Sequence, residues 1–204
     1  MGLSKGEETH LGASPGLAWR VPGMVILLAL VLMLAGDAGR NWLRFERAGI
    51  ASGEAWRLVT GHFVHLGISH TILNLAGLIL VWLLAGRAYP WQKWLWIMTG
   101  SMAAIDLGLW FGAPMLEWYV GLSGLLHGVL AAGIVAGIAN RSFEAVVVAV
   151  LVTGKLAWEQ FAGPLPGSEA TSGGAVIVDA HLYGVIGGTI VAAALIRVRR
   201  AASI

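Results

Sequence analysis

Cysteine is absent from this chain of 204 residues, and its absence removes a disulfide framework, a thiol nucleophile and a thiolate-held metal. Charge is scarce as well. Asp, Glu, Lys and Arg make up 12% of the residues, against 57% hydrophobic. A soluble domain of this size cannot hide so much apolar surface and still present a polar exterior. The chain therefore reads as embedded in a lipid bilayer. A net charge of +2 gives no ground for a nucleic-acid partner, and none is expected. There is no H-E-x-x-H, and no carboxylate accompanies His62, His65 and His70 at a familiar zinc spacing. No metal site and no cofactor are expected. Internal repeats and low-complexity tracts are also lacking.

What is present is a set of apolar runs marked off by charges. Val21 to Gly36 is uncharged between Arg20 and Asp37. Further runs cover about Ile68 to Gly86, Trp94 to Phe111, Tyr119 to Asn140, Phe143 to Ala162 and Ala175 to Ile196. A spanning helix needs roughly 20 residues, so the first run is short and the others fit. The expectation is an all-α polytopic membrane protein with six transmembrane helices in one domain, residues 21–196. An N-terminal segment, 1–20, precedes it and a basic tail, 197–204, follows. The first run is also open to reading as a signal peptide, since Ala35-Gly36-Asp37-Ala38 loosely resembles a small-residue cleavage site.

Basic residues suggest the orientation. With a cytoplasmic N-terminus, the inner segments hold Lys5, Arg20, Arg87, Lys93, Arg141, Arg197, Arg199 and Arg200. The outer side holds Arg40, Arg44, Arg47 and Arg57, all in the first loop. The other outer connections, near Pro114 to Glu117 and Gly163 to Gly174, carry no basic residue. Both termini are thus expected in the cytoplasm. The first loop, about Asp37 to Gly67, is long for a compact membrane domain, and long loops tend to be functional. Its aromatics (Trp42, Phe45, Trp56, Phe63) suit an interface, and interface anchoring is the plain expectation for His62 and His65.

In this topology the second, fourth and sixth runs start at the outer face. His70 and Asn74, Ser123, and His181 then share one depth, with Lys155 and Glu159 in the outer half of the fifth run. Intramembrane polar groups are costly and face a bundle interior or a wet cavity. A water-accessible pocket open to the outer side follows. A serine hydroxyl needs a base within hydrogen-bond reach, and two histidines compete for that role. His127 lies four residues after Ser123 on the same helical face. His181 has small residues beneath it at Gly184 and Gly188, matching Gly124 and Gly128 below Ser123. Facing small-residue tracks let membrane helices approach closely, which would bring His181 to Ser123. Asp179, two residues from His181, points away from it and belongs with the helix start. His70 and Asn74, one turn apart, can donate to a developing oxyanion, with the Ser123 amide as a third donor. Lys155 and Glu159 are expected to form an ion pair tying the bundle together, joined by Asp106; a proton relay is the other reading.

Three stretches then resemble one family. "HLGISHTILN", His65 to Asn74, resembles the H-x4-H-x3-N of rhomboid intramembrane serine proteases. "GLSG" around Ser123 resembles their nucleophile motif, and "AHLYGVIGG" their base helix. The upstream "WRLVTGHFVH" also fits. The finer features "GLSGLLHG", "KLAWEQ" followed by "GPLPG", and "VDAHLYG" resemble the rhombosortase branch. The resemblance implies a rhomboid-like bundle of six helices with Ser123 as nucleophile and His181 as base. It also implies an oxyanion hole from His70, Asn74 and the Ser123 amide. The implied substrate is a membrane-anchored bacterial surface protein with a C-terminal Gly-Gly motif, a hydrophobic helix and a basic tail. Such an enzyme would sit in the bacterial inner membrane with its site open to the outer side. His65, His127, Lys155 and Glu159 are left with supporting or structural roles. Two other classes stay in view: an inactive rhomboid-like protein that binds membrane clients, and a metal- or proton-handling protein built on His62, His65, His70, Asp106 and Lys155.

Overall fold

The computed structural model describes residues 19–201, with side chains described to residue 198. Lys5 and nearly all of the N-terminal segment 1–20 lie outside the described residues, as do the side chains of Arg199 and Arg200. The chain order is α1 (Arg20–Leu34), α2 (Gly36–Leu43), β1 (Phe45–Glu46), α3 (Arg47–Ala51), α4 (Arg57–Thr60), α5 (Ile68–Ala85) and α6 (Trp91–Gly112). Then come β2 (Trp118–Tyr119), α7 (Ser123–Ala139), α8 (Phe143–Ala162), α9 (Ser168–Ser172) and α10 (Val178–Ala201).

Each apolar run of the sequence becomes a helix. Helices α5, α6, α8 and α10 are long and apolar enough to cross a membrane. Helices α1 and α2 form a fifth, broken unit bent by 118°. Helix α7, at 17 residues, is shorter than a typical span. Local signals set the boundaries. Ser142 caps α8 by accepting the Ala145 N–H at 3.2 Å, and Pro90, in extended conformation, precedes α6. Helix α10 continues through Ile196 to Ala201, so the basic residues Arg197, Arg199 and Arg200 prolong the helix.

Helix α7 is the central element. It packs most extensively on α10, which also lies along α6. The α7–α10 contact is backbone on backbone. A Cβ at Gly184 would fall 2.0 Å from the Gly124 carbonyl oxygen, and one at Gly188 would fall 2.1 Å from that of Gly128. Only glycine allows such an approach, which lets van der Waals packing hold membrane helices together where hydrophobicity offers no drive. The main core gathers Trp94, Ile97, Leu125, Val129 and Ala132. A second, smaller one gathers Phe45, Ile105, Leu109, Tyr119 and Ala180 at one end of the bundle.

The first loop is folded. Strand β1 pairs antiparallel with β2, Phe45 opposite Tyr119 and Glu46 opposite Trp118. Arg47 then reaches the C-terminal end of α6 and donates to the carbonyls of Leu109 (2.8 Å), Trp110 (3.0 Å), Ala113 (3.0 Å) and Leu116 (3.2 Å). Its guanidinium also stacks 4.7 Å from the Trp110 ring. The last carbonyls of a helix have no intrahelical partner, and a planar fork of five donors suits them better than any other side chain. Arg57, which is buried, donates to the Asn41 and Arg44 carbonyls and pairs with Glu54.

The expectation of interface anchoring fails for four of the six residues named for it in this loop. Trp42 and Trp56 are exposed, but Phe45, Phe63, His62 and His65 are buried. Asp106 does not join Lys155 and Glu159. It pairs with His62 at 3.2 Å, because its face of α6 turns toward the loop and away from α8. His65 sits beside the His70 ring, 5.1 Å between centroids, with its Nε2 unpartnered. Burial first, and the neighbouring His70 second, lower the His65 pKa from 6.5 to about 3.

Three outcomes follow. Gly184→Ala should lose about 1–3 kcal/mol of stability, read as a lower unfolding midpoint in detergent. Gly154→Ala, with nothing within 4 Å of its added methyl, should hold or gain; equal midpoints for the two would contradict the packing account. Arg47→Lys keeps the charge but loses the fork, and should be destabilised by about 2 kcal/mol. For His65 the unfolded chain binds the proton from pH 6.5 down while the fold resists it to about 3. Stability present above pH 6.5 should therefore drain away as pH falls through that window, and His65→Gln should flatten the dependence.

Candidate active site

Ser123 is the first residue of α7, and His181 lies in the first turn of α10. The glycine contact begins beside them: a Cβ at Gly124 would meet the carbonyl oxygen of Ala180, the residue before His181, at 2.8 Å. With the helices this close, His181 Nε2 stands 3.0 Å from Ser123 Oγ. His181 is buried and Ser123 half-buried. That spacing is the one a hydroxyl needs to pass its proton to an imidazole.

His127 lies on the same helix face as Ser123, but it engages the backbone. Its Nδ1 donates to the Ser123 carbonyl at 2.8 Å. Its ring stacks on that of His181, with centroids 4.2 Å apart and planes 19° apart. His127 is thus a wall for the His181 ring.

The other ring nitrogen of His181 meets α8. Glu159 Oε1 and Oε2 lie 3.1 and 3.0 Å from His181 Nδ1. The expected Lys155–Glu159 pair is present at 2.6 Å, and Lys155 Nζ also comes to 3.4 Å from His181 Nδ1. Four side chains are therefore connected: Lys155 and Glu159 meet at His181 Nδ1, and Ser123 stands at its Nε2. The contact between Glu159 and His181 is the site feature that the sequence reading lacked. Its available signal was depth, since both residues fall near the same end of the bundle. Among the described residues, His127, Glu159 and His181 also bring one ligand-type atom each within 4.8 Å of one another. Lys155 supplies the positive charge there.

His70 enters from the first turn of α5. Its Nδ1 accepts the Leu66 N–H at 3.3 Å, and an imidazole that accepts at Nδ1 carries its proton on Nε2. The Nε2 edge faces Gly121, two residues before Ser123: a Cβ there would sit 2.9 Å from His70 Cε1 and 3.1 Å from Nε2. Gly121 has φ +124, a region that disfavours side chains. It is fixed there by its N–H to the Gly61 carbonyl (3.1 Å) and by the Tyr119 hydroxyl on its own carbonyl (2.6 Å). Burial, with the Asp106 charge second, pushes the Tyr119 pKa up and keeps that hydroxyl a donor. Asn74, buried one turn below, donates Nδ2 to the His70 carbonyl at 3.0 Å, which uses one of its two amide hydrogens. The Ser123 amide is among the first N–H groups of α7, those a helix leaves without an intrahelical partner.

Beside this cluster a cleft of about 320 Å³ runs between the segment around β2 and the approach to α10. Met115, Trp118, Val120, Ala175 and Ile177 line it. Both walls lead within a few residues to Ser123 and His181.

Residues 52–198 match the family model described as "Rhomboid domain". The chain is also similar to the "Putative rhomboid protease YdcA" of Bacillus subtilis (strain 168), 30% identical over 81 residues. That stretch covers 40% of this chain and 41% of the relative, so less than half of the relative's length is matched. The family match takes in α5 to α8, every side chain of the cluster around Ser123 and α10 through residue 198: the chain belongs to the rhomboid family.

Proposed function

We propose that this chain is an intramembrane serine endopeptidase of the rhombosortase branch. It cleaves a membrane-anchored protein near the outer end of its anchor. The observation that carries the reading is the 3.0 Å contact between Ser123 Oγ and His181 Nε2, made by two helices whose glycines let their backbones touch. Ser123 attacks the scissile carbonyl while His181 takes its proton, then returns it to the leaving amine. The oxyanion is met by the His70 Nε2–H, the second amide hydrogen of Asn74 and the Ser123 amide. Water reaching the site from the outer side then resolves the acyl-enzyme.

All six apolar helices cross the membrane in this reading, including the short α1 and α7, with both termini in the cytoplasm of a bacterium and the protein in its inner membrane. The substrate is a C-terminal sorting tail: a Gly-Gly motif, a hydrophobic helix and a basic end. The apolar cleft beside β2 suits the stretch of chain that leads to the cleavage point. "GLSGLLHG", "KLAWEQ" and "VDAHLYG" support the branch, and all three surround the Ser123–His181 contact.

The test uses purified protein in lipid vesicles and a model substrate carrying such a tail. Wild type is expected to cut at the Gly-Gly motif. Ser123→Ala and His181→Ala should each lose about 1,000-fold or more. His127→Ala, which removes a stacking partner of His181, should cost no more than about tenfold. Cleavage surviving Ser123→Ala would sink the serine mechanism. Cleavage lost in His127→Ala and kept in His181→Ala would exchange the base. Equal cleavage of a tail whose glycines are replaced would remove the branch assignment.

A further inference from the structure

We infer that Glu159 is a positioning residue that holds the proton of His181 on Nδ1, and that it does so against Lys155, which competes for the same nitrogen. The inference rests on the serine mechanism proposed above and extends it from two residues to three.

To accept the Ser123 proton, His181 Nε2 must present a lone pair, so the ring proton has to reside on Nδ1. Two groups from α8 face Nδ1 and ask opposite things of it. The Glu159 carboxylate, at 3.0 and 3.1 Å, is acceptor-only and favours Nδ1–H. The Lys155 ammonium, at 3.4 Å, is donor-only and favours a bare Nδ1, which would put the proton on Nε2 and leave nothing to receive the serine's. The geometry decides between them. Lys155 Nζ is 2.6 Å from Glu159 Oε1, its closer partner, so the carboxylate takes both the ammonium and the ring N–H. His127, stacked on the His181 ring face, limits ring rotation.

The surroundings argue against a mere anchor. Helix α8 buries only Leu156 and Glu159 along its length. Large apolar residues such as Val150, Leu151, Trp158 and Phe161 are exposed on it. A helix in lipid can be anchored by close packing, as α7 and α10 are, without the cost of burying a carboxylate among apolar surroundings. Glu159 is 3% exposed at its side chain and Lys155 is 29%. The charge is buried where His181 needs it, and the ammonium is left at the edge.

Glu159→Gln tests this sharply. The Gln oxygen stays with Lys155 and turns its NH2 toward Nδ1, which enforces the wrong tautomer. Adding Lys155→Met frees the amide to flip and present its oxygen. Two readouts on full-length protein in detergent follow the change. A fluorophosphonate probe reports rate: the Ser123 Oγ–P bond forms, P–F breaks, fluoride leaves and the hydroxyl proton passes to His181. Nitrogen-15 NMR of labelled histidine, with His181 identified by its loss in His181→Gln, reports the tautomer.

Glu159→Gln should lower the maximal labelling rate about 100-fold or more with the probe's half-saturation concentration unchanged. The His181 signal should move from Nδ1–H to Nε2–H. E159Q/K155M should regain at least about tenfold of that rate and return toward Nδ1–H. Labelling of Glu159→Gln within about threefold of wild type would overturn the inference. So would two equally slow variants that keep the Nδ1–H signal, because Glu159 would then only anchor α8. Where Glu159→Gln loses its fold, Glu159→Asp carries the test: a slower rate with a weakened Nδ1–H signal supports the inference, and no change in either overturns it. Failure of wild type to label at Ser123 would instead remove the serine reading, while the tautomer measurement would still judge Glu159.

Discussion

The arrangement depends on two backbones touching. Gly124 and Gly128 on α7 meet Gly184 and Gly188 on α10 with no side chain between them. In a bilayer, apolar surface gains nothing by leaving lipid for protein, so helices need dense packing or polar contacts to associate. Here the packing contact also sets a distance. Ser123 and His181 are 58 residues apart in sequence, and each sits within one helical turn of a glycine in the contact. Their 3.0 Å separation is inherited from the helix pair. The other parts are arranged around it: α6 lies along α10, α5 brings His70, and the folded first loop closes one end through β1 on β2 and Arg47 on the end of α6.

Much of this was legible in the residues because its causes are local. Charges bound each apolar run, and the structure places a helix on every one of them. The glycine tracks were legible too, since a spacing of four repeats on one helix face. What could not be read was rotation. Lys155 and Glu159, four apart, make a good pair on any helix, and nothing in "KLAWEQ" says that the carboxylate also turns inward to His181. Asp106 failed for the same reason: its depth fits α8, but its azimuth on α6 carries it to His62. The first loop was hidden differently. Its fold draws on the β1–β2 pairing and on a guanidinium meeting four carbonyls from a segment more than 60 residues away, and such long-range satisfaction leaves no periodic trace.

The polar groups show how a membrane domain can hold charge without scattering it. His62 with Asp106, and Lys155 with Glu159 and His181, each use their neighbours' charges as partners. Both sets lie toward one end of the bundle. The opposite end is sealed by tryptophan and tyrosine, where Trp94 donates to the Gly86 carbonyl and packs against Trp82 and Tyr89. One end gathers the ionisable side chains and the other the large aromatic ones.

The i, i+4 spacing of Lys155 and Glu159 has a further consequence, in the making of the protein. The ribosome completes α8 before α10 exists, so for some time Glu159 lies in the membrane without the histidine it will contact. A lone carboxylate in that setting is costly and invites ejection of the helix. Lys155, one turn earlier on the same helix, is a counter-ion that arrives with it. The helix can enter lipid as a self-neutralised unit and later offer the free side of its carboxylate to His181. An ammonium that endangers the finished site's tautomer is, during synthesis, what lets the carboxylate wait for its partner.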